Sequence, residues 1–226
     1  MNNNIDNKCA IMRAAFRLFA QNGYCRTGIR DIAFDAKVSV GLVNHHFGSK
    51  KNLAIQLVSF FWRRADMWAT KYVNPQKAPV LYDAVSTRGM NRQMMEWEYR
   101  AFYIESLHED IFFDSLTRST NDAVVSFRKE RFSVPDPDLV LLYGRILPYE
   151  VEKTLILKKE RGLFQNIAYD DIPFYICLTA FEKIIAKEEI VLADKQARII
   201  TDEHIEDLYR DITDDDILMF ITQEKL

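Results

Sequence analysis

The stretch TGIRDIAFDAKVSVGLVNHHFGSK, from Thr27 to Lys50, decides the fold. Ile29 to Ala36 reads as a short helix, with Ile32 and Ala33 turned inward and Arg30 and Asp31 outward. Ser39 stands where it would cap a second short helix, Val40 to Phe47, and Ser49 where it would cap a third beginning at Lys50. A serine hydroxyl accepts the amide hydrogens that a first helical turn leaves without partners. Two short helices joined by a tight turn and braced by a longer one make a helix-turn-helix.

Working back, Asp6 caps a bracing helix whose apolar residues Cys9, Met12, Ala15, Phe16, Phe19 and Ala20 recur every three or four positions. Gly23 ends it, because glycine takes the left-handed cap conformation without steric cost, and Tyr24 returns to the core. Working forward, the helix from Lys50 passes through Leu53, Leu57, Phe60, Phe61, Arg64 and Trp68 without a breaker before Asn74-Pro75. Further helices are expected near 79–88, 91–108, 115–132, 137–160 and 171–188, separated by Gly89, Pro135 and Pro137, Gly162 and Pro173, with a kink at Pro148. The run Met94 to Ile104 is apolar nearly all round and is placed in the middle of the body. Past residue 190 the chain turns acidic but keeps apolar pairs such as Ile199-Ile200 and Ile217-Leu218, so one or two extra helices should cover the body. The fold class is all-α. The expected domains are a helix-turn-helix head over 1–48, a connecting helix over 49–74, a ligand-binding and dimerisation body over 75–190, and an acidic helical extension over 191–226.

Charge divides along the same lines. The chain carries a net −3, but residues 1–71 hold eleven Lys and Arg against four Asp, a net +7, which leaves −10 for the remainder. A basic head on an acidic body suits a domain that meets phosphate attached to one that does not. No apolar run is long enough to span a membrane, and Met1 to Asp6 lacks the basic-then-apolar pattern of a signal peptide, so a cytoplasmic protein is expected. Cys9, Cys25 and Cys177 are too widely spaced for a metal site and read as reduced thiols. The His45-His46 pair has no cysteine or spaced carboxylate beside it, so no metal and no cofactor is expected. Without a nucleophile elbow, a phosphate-cradling glycine loop or a His/Cys/Asp constellation, the chain is not expected to be an enzyme.

The pattern Ala14-Ala15-x-x-Leu18-Phe19, Gly23-Tyr24, Ile32-Ala33, Ala36-x-Val38-Ser39-x-Gly41, His46-Phe47-x-Ser49-Lys50-x-x-Leu53 resembles the DNA-binding domain of TetR-family regulators over residues 11–57. Three positions depart from the family: Gly28 stands for a threonine, Lys37 for a turn glycine, and Asn44 for a recognition-helix tyrosine. The resemblance implies that Val40, Gly41, Leu42, Asn44 and His45 line the exposed side of the recognition helix. Asn44 suits adenine N6 and N7, Val40 and Leu42 suit thymine methyls, and Arg30 suits guanine O6 and N7. Thr27, Ser39, His45 and Lys50 suit phosphates. The alternative for Asn44 is a solvated residue, and for Arg30 a surface partner of Asp31 or Asp35.

In the body, Trp68, Trp97, Arg100, Phe102, Tyr103, Phe113 and Tyr143 are candidates to line a pocket for an apolar or aromatic ligand, or are ordinary core. Glu98, Arg100 and Glu105 would orient that ligand or pair with one another. Tyr143, Leu147, Val151, Cys177, Phe181 and Ile184 are candidates for an interface between two chains, as the family implies. A short recognition helix reads only a few base pairs, so two heads about 34 Å apart are needed. The expected partners are therefore double-stranded operator DNA, a second copy of the chain and an unknown small-molecule effector, with no membrane. The expected function is a transcriptional repressor released by that effector. The alternative is a small-molecule sensor that acts through a protein partner.

Overall fold

The computed structural model describes residues 3–95, 98–116, 122–131 and 136–223, and every regular element among them is helical. Helix α1 (Asn3–Asn22) buries Ile11, Met12, Ala15, Phe16 and Phe19, the row that its three-and-four spacing requires. It stops at Gly23, whose φ of +76° lets its N–H donate to Phe19 O at 2.9 Å. Helices α2 (Ile29–Asp35), α3 (Val40–Phe47) and α4 (Lys50–Tyr72) follow at the expected positions. The two serines cap as expected: Ser39 Oγ accepts from Leu42 N and Ser49 Oγ from Asn52 N, each at 3.1 Å.

The body is built from α5 (Pro79–Met95), α6 (Arg100–His108), α7 (Ile111–Leu116), α8 (Asp122–Arg131), α9 (Pro137–Leu141), α10 (Leu147–Lys159) and α11 (Ile172–Phe181). The extension adds α12 (Lys187–His204), α13 (Glu206–Tyr209) and α14 (Asp214–Gln223). The head is not a separate bead. One continuous apolar core takes in Phe16 and Phe19 of α1, Phe60 and Phe61 of α4, Tyr99 and Phe102 at the start of α6, Ile156 of α10 and Phe220 of α14.

Several expected breaks move, each for a physical reason. Gly89 does not separate helices; α5 runs through it. A Cβ at Gly89 would sit 2.8 Å from Trp68 Cζ3, so the glycine is there to let α4 approach α5. The expected helix over 91–108 is divided, and α6 begins only at Arg100. Of the expected helix over 115–132, residues 115 and 116 end α7, residues 122–131 form α8, and the others lie outside the described residues. At Pro148 the strain is taken by one π-helical turn, Leu142–Ile146. Proline has no N–H for the carbonyl four residues back, Gly144, and Arg128 Nη1 donates to that oxygen at 3.2 Å. Pro173 opens a helix rather than separating two, since a first turn needs no proline N–H.

The extension reaches further than expected. Helix α12 lies along α5, fastened by the fully buried Arg88, which pairs with Asp170 at 2.9 Å and Asp194 at 2.5 Å. Helix α14 passes beyond the body and packs on α1, burying Ile217, Phe220 and Ile221. At its N-terminus Asp216 accepts from Arg210 at 2.6 and 2.7 Å and from Thr213 N at 2.9 Å, which holds its carboxyl well below the usual range. Arg13 of α1 pairs with Asp214 at 2.5 Å.

Gly89→Ala sets two effects against each other. Helix propensity favours alanine by about 1 kcal/mol, whereas forcing a methyl into packed aromatic surface costs roughly 1–3 kcal/mol. The overpacking term wins, so the variant should unfold at lower urea concentration than the parent; an equal or higher midpoint would show that Trp68 moves aside freely.

Candidate nucleic-acid interface and body cavity

The turn between α2 and α3 is closed by Lys37, which adopts φ +56°, the left-handed region where a side chain is strained. Val38 N then donates to Ala33 O at 2.9 Å, and the chain re-enters a helix at Ser39. At the start of α2, Gly28 has no hydroxyl to offer, and the cap is completed the other way round. Its own N–H donates to Asp31 Oδ2 at 2.9 Å. In α3 Val43 and Phe47 are buried, so the opposite side faces outward. Gly41, Asn44 and His45 are exposed there, with Ser39 at the cap, while Val40 and Leu42 are half-buried at its margin. Arg30 is exposed on α2 and takes neither neighbouring acid: Asp31 serves Gly28 N, and Asp35 pairs with Arg17.

Two residues expected at phosphates have other work. Thr27 is 1% exposed, and its hydroxyl donates to Gly23 O at 2.7 Å and to Leu18 O at 3.1 Å. It closes the corner between α1 and α2 and has no surface to offer to DNA. Lys50 Nζ donates to Tyr24 O at 3.0 Å and Thr27 O at 3.1 Å and lies 4.0 Å from the centre of the Tyr24 ring. Two of its three donors thus brace the same corner. His46 packs between His45 and Phe47, and burial pushes its pKa down. Phe34 was not singled out by the sequence, yet it is 87% exposed, one turn beyond Arg30 on the same face of α2. Its place outside the apolar row of Ile32 and Ala33 was the available signal.

Glu98, Arg100 and Glu105 do not pair with one another among the described residues. Arg100 pairs with Glu160 at 2.6 Å and packs over the Tyr169 ring. Glu105 Oε2 accepts from Cys25 N at 2.9 Å, which ties α6 to the end of the first head helix. Glu98 is exposed.

A cavity of about 110 Å³ opens in the body between α4, α5, α8, α10 and α11. Its walls carry Trp62 and Asp66 of α4, Asp83 and Ser86 of α5, Arg128 of α8, Arg145 of the π turn and Glu152 of α10. None of the candidates named from the sequence lines it. Trp68 packs on Tyr72 and donates to His204 O at 3.1 Å; Phe102 stacks on Phe19 at 5.0 Å; Trp97 lies outside the described residues. Tyr103 and Phe113 stand just behind the wall, the first donating to Glu152 and the second packing on Tyr149, and Tyr143 is half-buried in the π turn. Glu152 was legible in principle, since it continues a buried row at four-residue spacing, Pro148, Glu152, Ile156.

The wall is electrically uneven. Asp83 pairs with Arg128 at 3.3 Å, and Arg145 adds a second attraction to the same carboxyl. Asp66 accepts from Ser86 Oγ at 2.6 Å and Tyr82 Oη at 3.1 Å, and burial pushes it up to about 6. Glu152 is 5% exposed, takes the Tyr103 hydroxyl, and is pushed by burial up to about 7.

Of the residues expected between two chains, Cys177 and Phe181 are inside their own chain. Phe181 is fully buried beneath the Arg128 guanidinium, 4.6 Å from the ring centre. Tyr143, Leu147, Val151 and Ile184 keep part of their surface.

Residues 11–57 match the family of bacterial regulatory proteins, tetR family. Along most of its length the chain is similar to the Probable HTH-type transcriptional regulator YttP of Bacillus subtilis, with 22% identity over 197 residues, 76% of this chain and 93% of that protein. A 44-residue segment is 54% identical to an HTH-type transcriptional repressor of Mycobacterium tuberculosis, covering 20% of this chain and 23% of that one. Among the described residues, no helix is long and apolar enough to cross a membrane.

Thr27→Val removes a hydroxyl donor shared between two backbone carbonyls at nearly constant shape, so chemical denaturation should show a loss of about 1 kcal/mol. A loss of DNA affinity in this variant, equal for operator and scrambled duplexes and at unchanged stability, would return Thr27 to the phosphates. For Glu152, the folded-state pKa lies above the ordinary value near 4.5, so the native chain binds the proton more tightly. Its contribution therefore falls as pH rises from about 4.5 to about 7, and the penalty is complete above that. Glu152→Gln should gain stability relative to the parent at pH 8 and little at pH 5, read from urea midpoints at both.

Proposed function

The chain belongs to the tetR family of bacterial regulatory proteins, and from this premise we propose that it is a dimeric repressor whose grip on operator DNA is released by a small molecule bound in the body cavity. The observation that carries the proposal is the continuity of α4. Its N-terminus is bolted to the head through Lys50, and sixteen residues on the same helix puts Asp66 in the cavity wall. A ligand that changes the packing around Asp66 acts on a rigid rod that ends in the recognition unit. Coupling of about 1–3 kcal/mol is enough to change operator occupancy severalfold or more.

In this reading α3 enters the major groove with Asn44 and His45 foremost, and Val40, Gly41 and Leu42 allow close approach to base edges. Arg30 on α2 and the Ser39 cap lie beside the backbone. Lys50 contributes a phosphate contact with whichever donor its bracing role leaves, so its main effect is on the position of α4. The dimer forms through the sides of α10 and the end of α11, where Leu147, Val151 and Ile184 keep apolar surface and Tyr143 flanks them. Such a pairing sets two copies of α3 about one helical turn of DNA apart.

The test is fluorescence anisotropy with the DNA upstream of the protein's own gene and with a scrambled duplex, at two salt concentrations. Specific DNA should bind at least roughly a thousandfold tighter. Asn44→Ala should narrow that margin at one base pair by about 1–3 kcal/mol, leaving non-specific affinity unchanged. Arg30→Ala should weaken binding and, if the arginine meets phosphate, lower the salt slope by about one. Equal affinity for both duplexes would refute the operator reading.

A further inference from the structure

The chemistry of the cavity wall narrows the class of molecule it takes, an inference that rests on the effector reading above. Three carboxylates and two guanidinium groups meet there, Asp66, Asp83 and Glu152 against Arg128 and Arg145. Both arginines are engaged, although Arg128 Nε is buried without an acceptor among the described residues. Arg128 pairs with Asp83, donates to Gly144 O and covers the Phe181 ring, while Arg145 donates to Leu116 O and is drawn to the same Asp83. Asp66 and Glu152 receive only neutral hydroxyl donors. Arg63, one turn back on α4, attracts Asp66 from a distance but gives its guanidinium to Phe220 O at 3.3 Å and Gln223 Oε1 at 3.4 Å.

Burying a carboxylate with no cation is costly, and burial duly raises both groups. A positive charge placed between them would remove that cost. The rest of the wall suits an organic cation rather than a bare metal ion, since the Trp62 and Tyr149 rings flank the space. Size sets the upper limit. At about 110 Å³ the space is nearer to a benzene-sized cavity than to a drug pocket of several hundred Å³.

We propose that the body cavity binds a small organic amine in its cationic form, carrying about one ring, with its ammonium held by Asp66 and Glu152 and its ring against Trp62 and Tyr149.

Calorimetric titration of the full chain at pH 8, without DNA, tests this with three probes of like shape: benzylammonium, benzyl alcohol and benzoate. The cation should bind at least about tenfold tighter than the alcohol, and benzoate should bind more weakly still. Glu152→Gln and Asp66→Asn should each weaken the cation by about tenfold or more and leave the alcohol unchanged. Glu152→Gln is expected to fold at least as well as the parent at this pH, so its loss of binding is not a loss of structure. Failure of the cation to bind, preference for benzoate through the arginines, or parental affinity in both variants would overturn the proposal. Anisotropy with operator DNA on the same preparations separates the two readings. Cation binding without any effect on DNA would leave the site standing and remove the release mechanism. DNA binding intact with no cation binding would do the reverse.

Discussion

The aromatic junction where α1, α4, α6 and α14 meet is the constraint on which the rest depends. Phe16 sits 4.8 Å from Phe60 and 5.6 Å from Phe61, Phe61 is 4.7 Å from Tyr99, Phe19 stacks on Phe102 at 5.0 Å, and Phe60 is 5.5 Å from Phe220. Each ring contributes dispersion and a preferred geometry beyond the area it buries. Because interiors are packed as tightly as organic crystals, such a junction has few alternative arrangements. Head and body therefore move as parts of one core. A change in the body that repacks α4 or α6 is felt at α1, and through α1 at the turn that holds α3.

The polar links across this junction are fewer but better directed. Glu105 reaches the backbone of Cys25, Lys50 reaches the backbone of Tyr24 and Thr27, and Thr27 spans Leu18 and Gly23. All of them converge on the corner between α1 and α2. That convergence explains why two residues assigned to phosphate from the sequence turn out to brace the protein. A threonine and a lysine beside a DNA-reading helix look alike whether they face outward or inward, and only burial tells them apart.

What the sequence made legible follows the range of the forces involved. The head could be read because its signals are local: Gly23 as a stop, Ser39 and Ser49 as caps, and an apolar row in α1 at helical spacing. Even the strained angle at Lys37 was visible, as a lysine where the family pattern has glycine. The body was legible as helices but not in its joints. Gly89 looks like a breaker until Trp68 is placed against it, and that contact joins residues twenty-one positions apart. The cavity was missed for a related reason. Aromatic residues are the usual pocket candidates, but here Phe102 belongs to the junction core, Trp68 packs on Tyr72, and Tyr103 and Phe113 stand behind the cavity wall. The wall includes five charged residues, whose burial depends on elements far away in the chain.

The extension shows how an acidic tail acquires a place in a protein of this design. Some of its charges do structural work: Asp194 pairs with the buried Arg88 and Asp216 with Arg210, while Asp214 meets Arg13 at the surface. An acid at the first turn of a helix is favoured by the helix dipole as well as by its partner, which fits both Asp214 and Asp216. The apolar side of α14 then lies on α1, so the end of the chain touches the same helix that braces the recognition unit. A head held only by α4 would be free to swing about one rod. Helices α6 and α14 add further attachments to α1, and a displacement of α4 must either carry α14 with it or break the Phe60–Phe220 contact. The extension thus stiffens the junction between head and body.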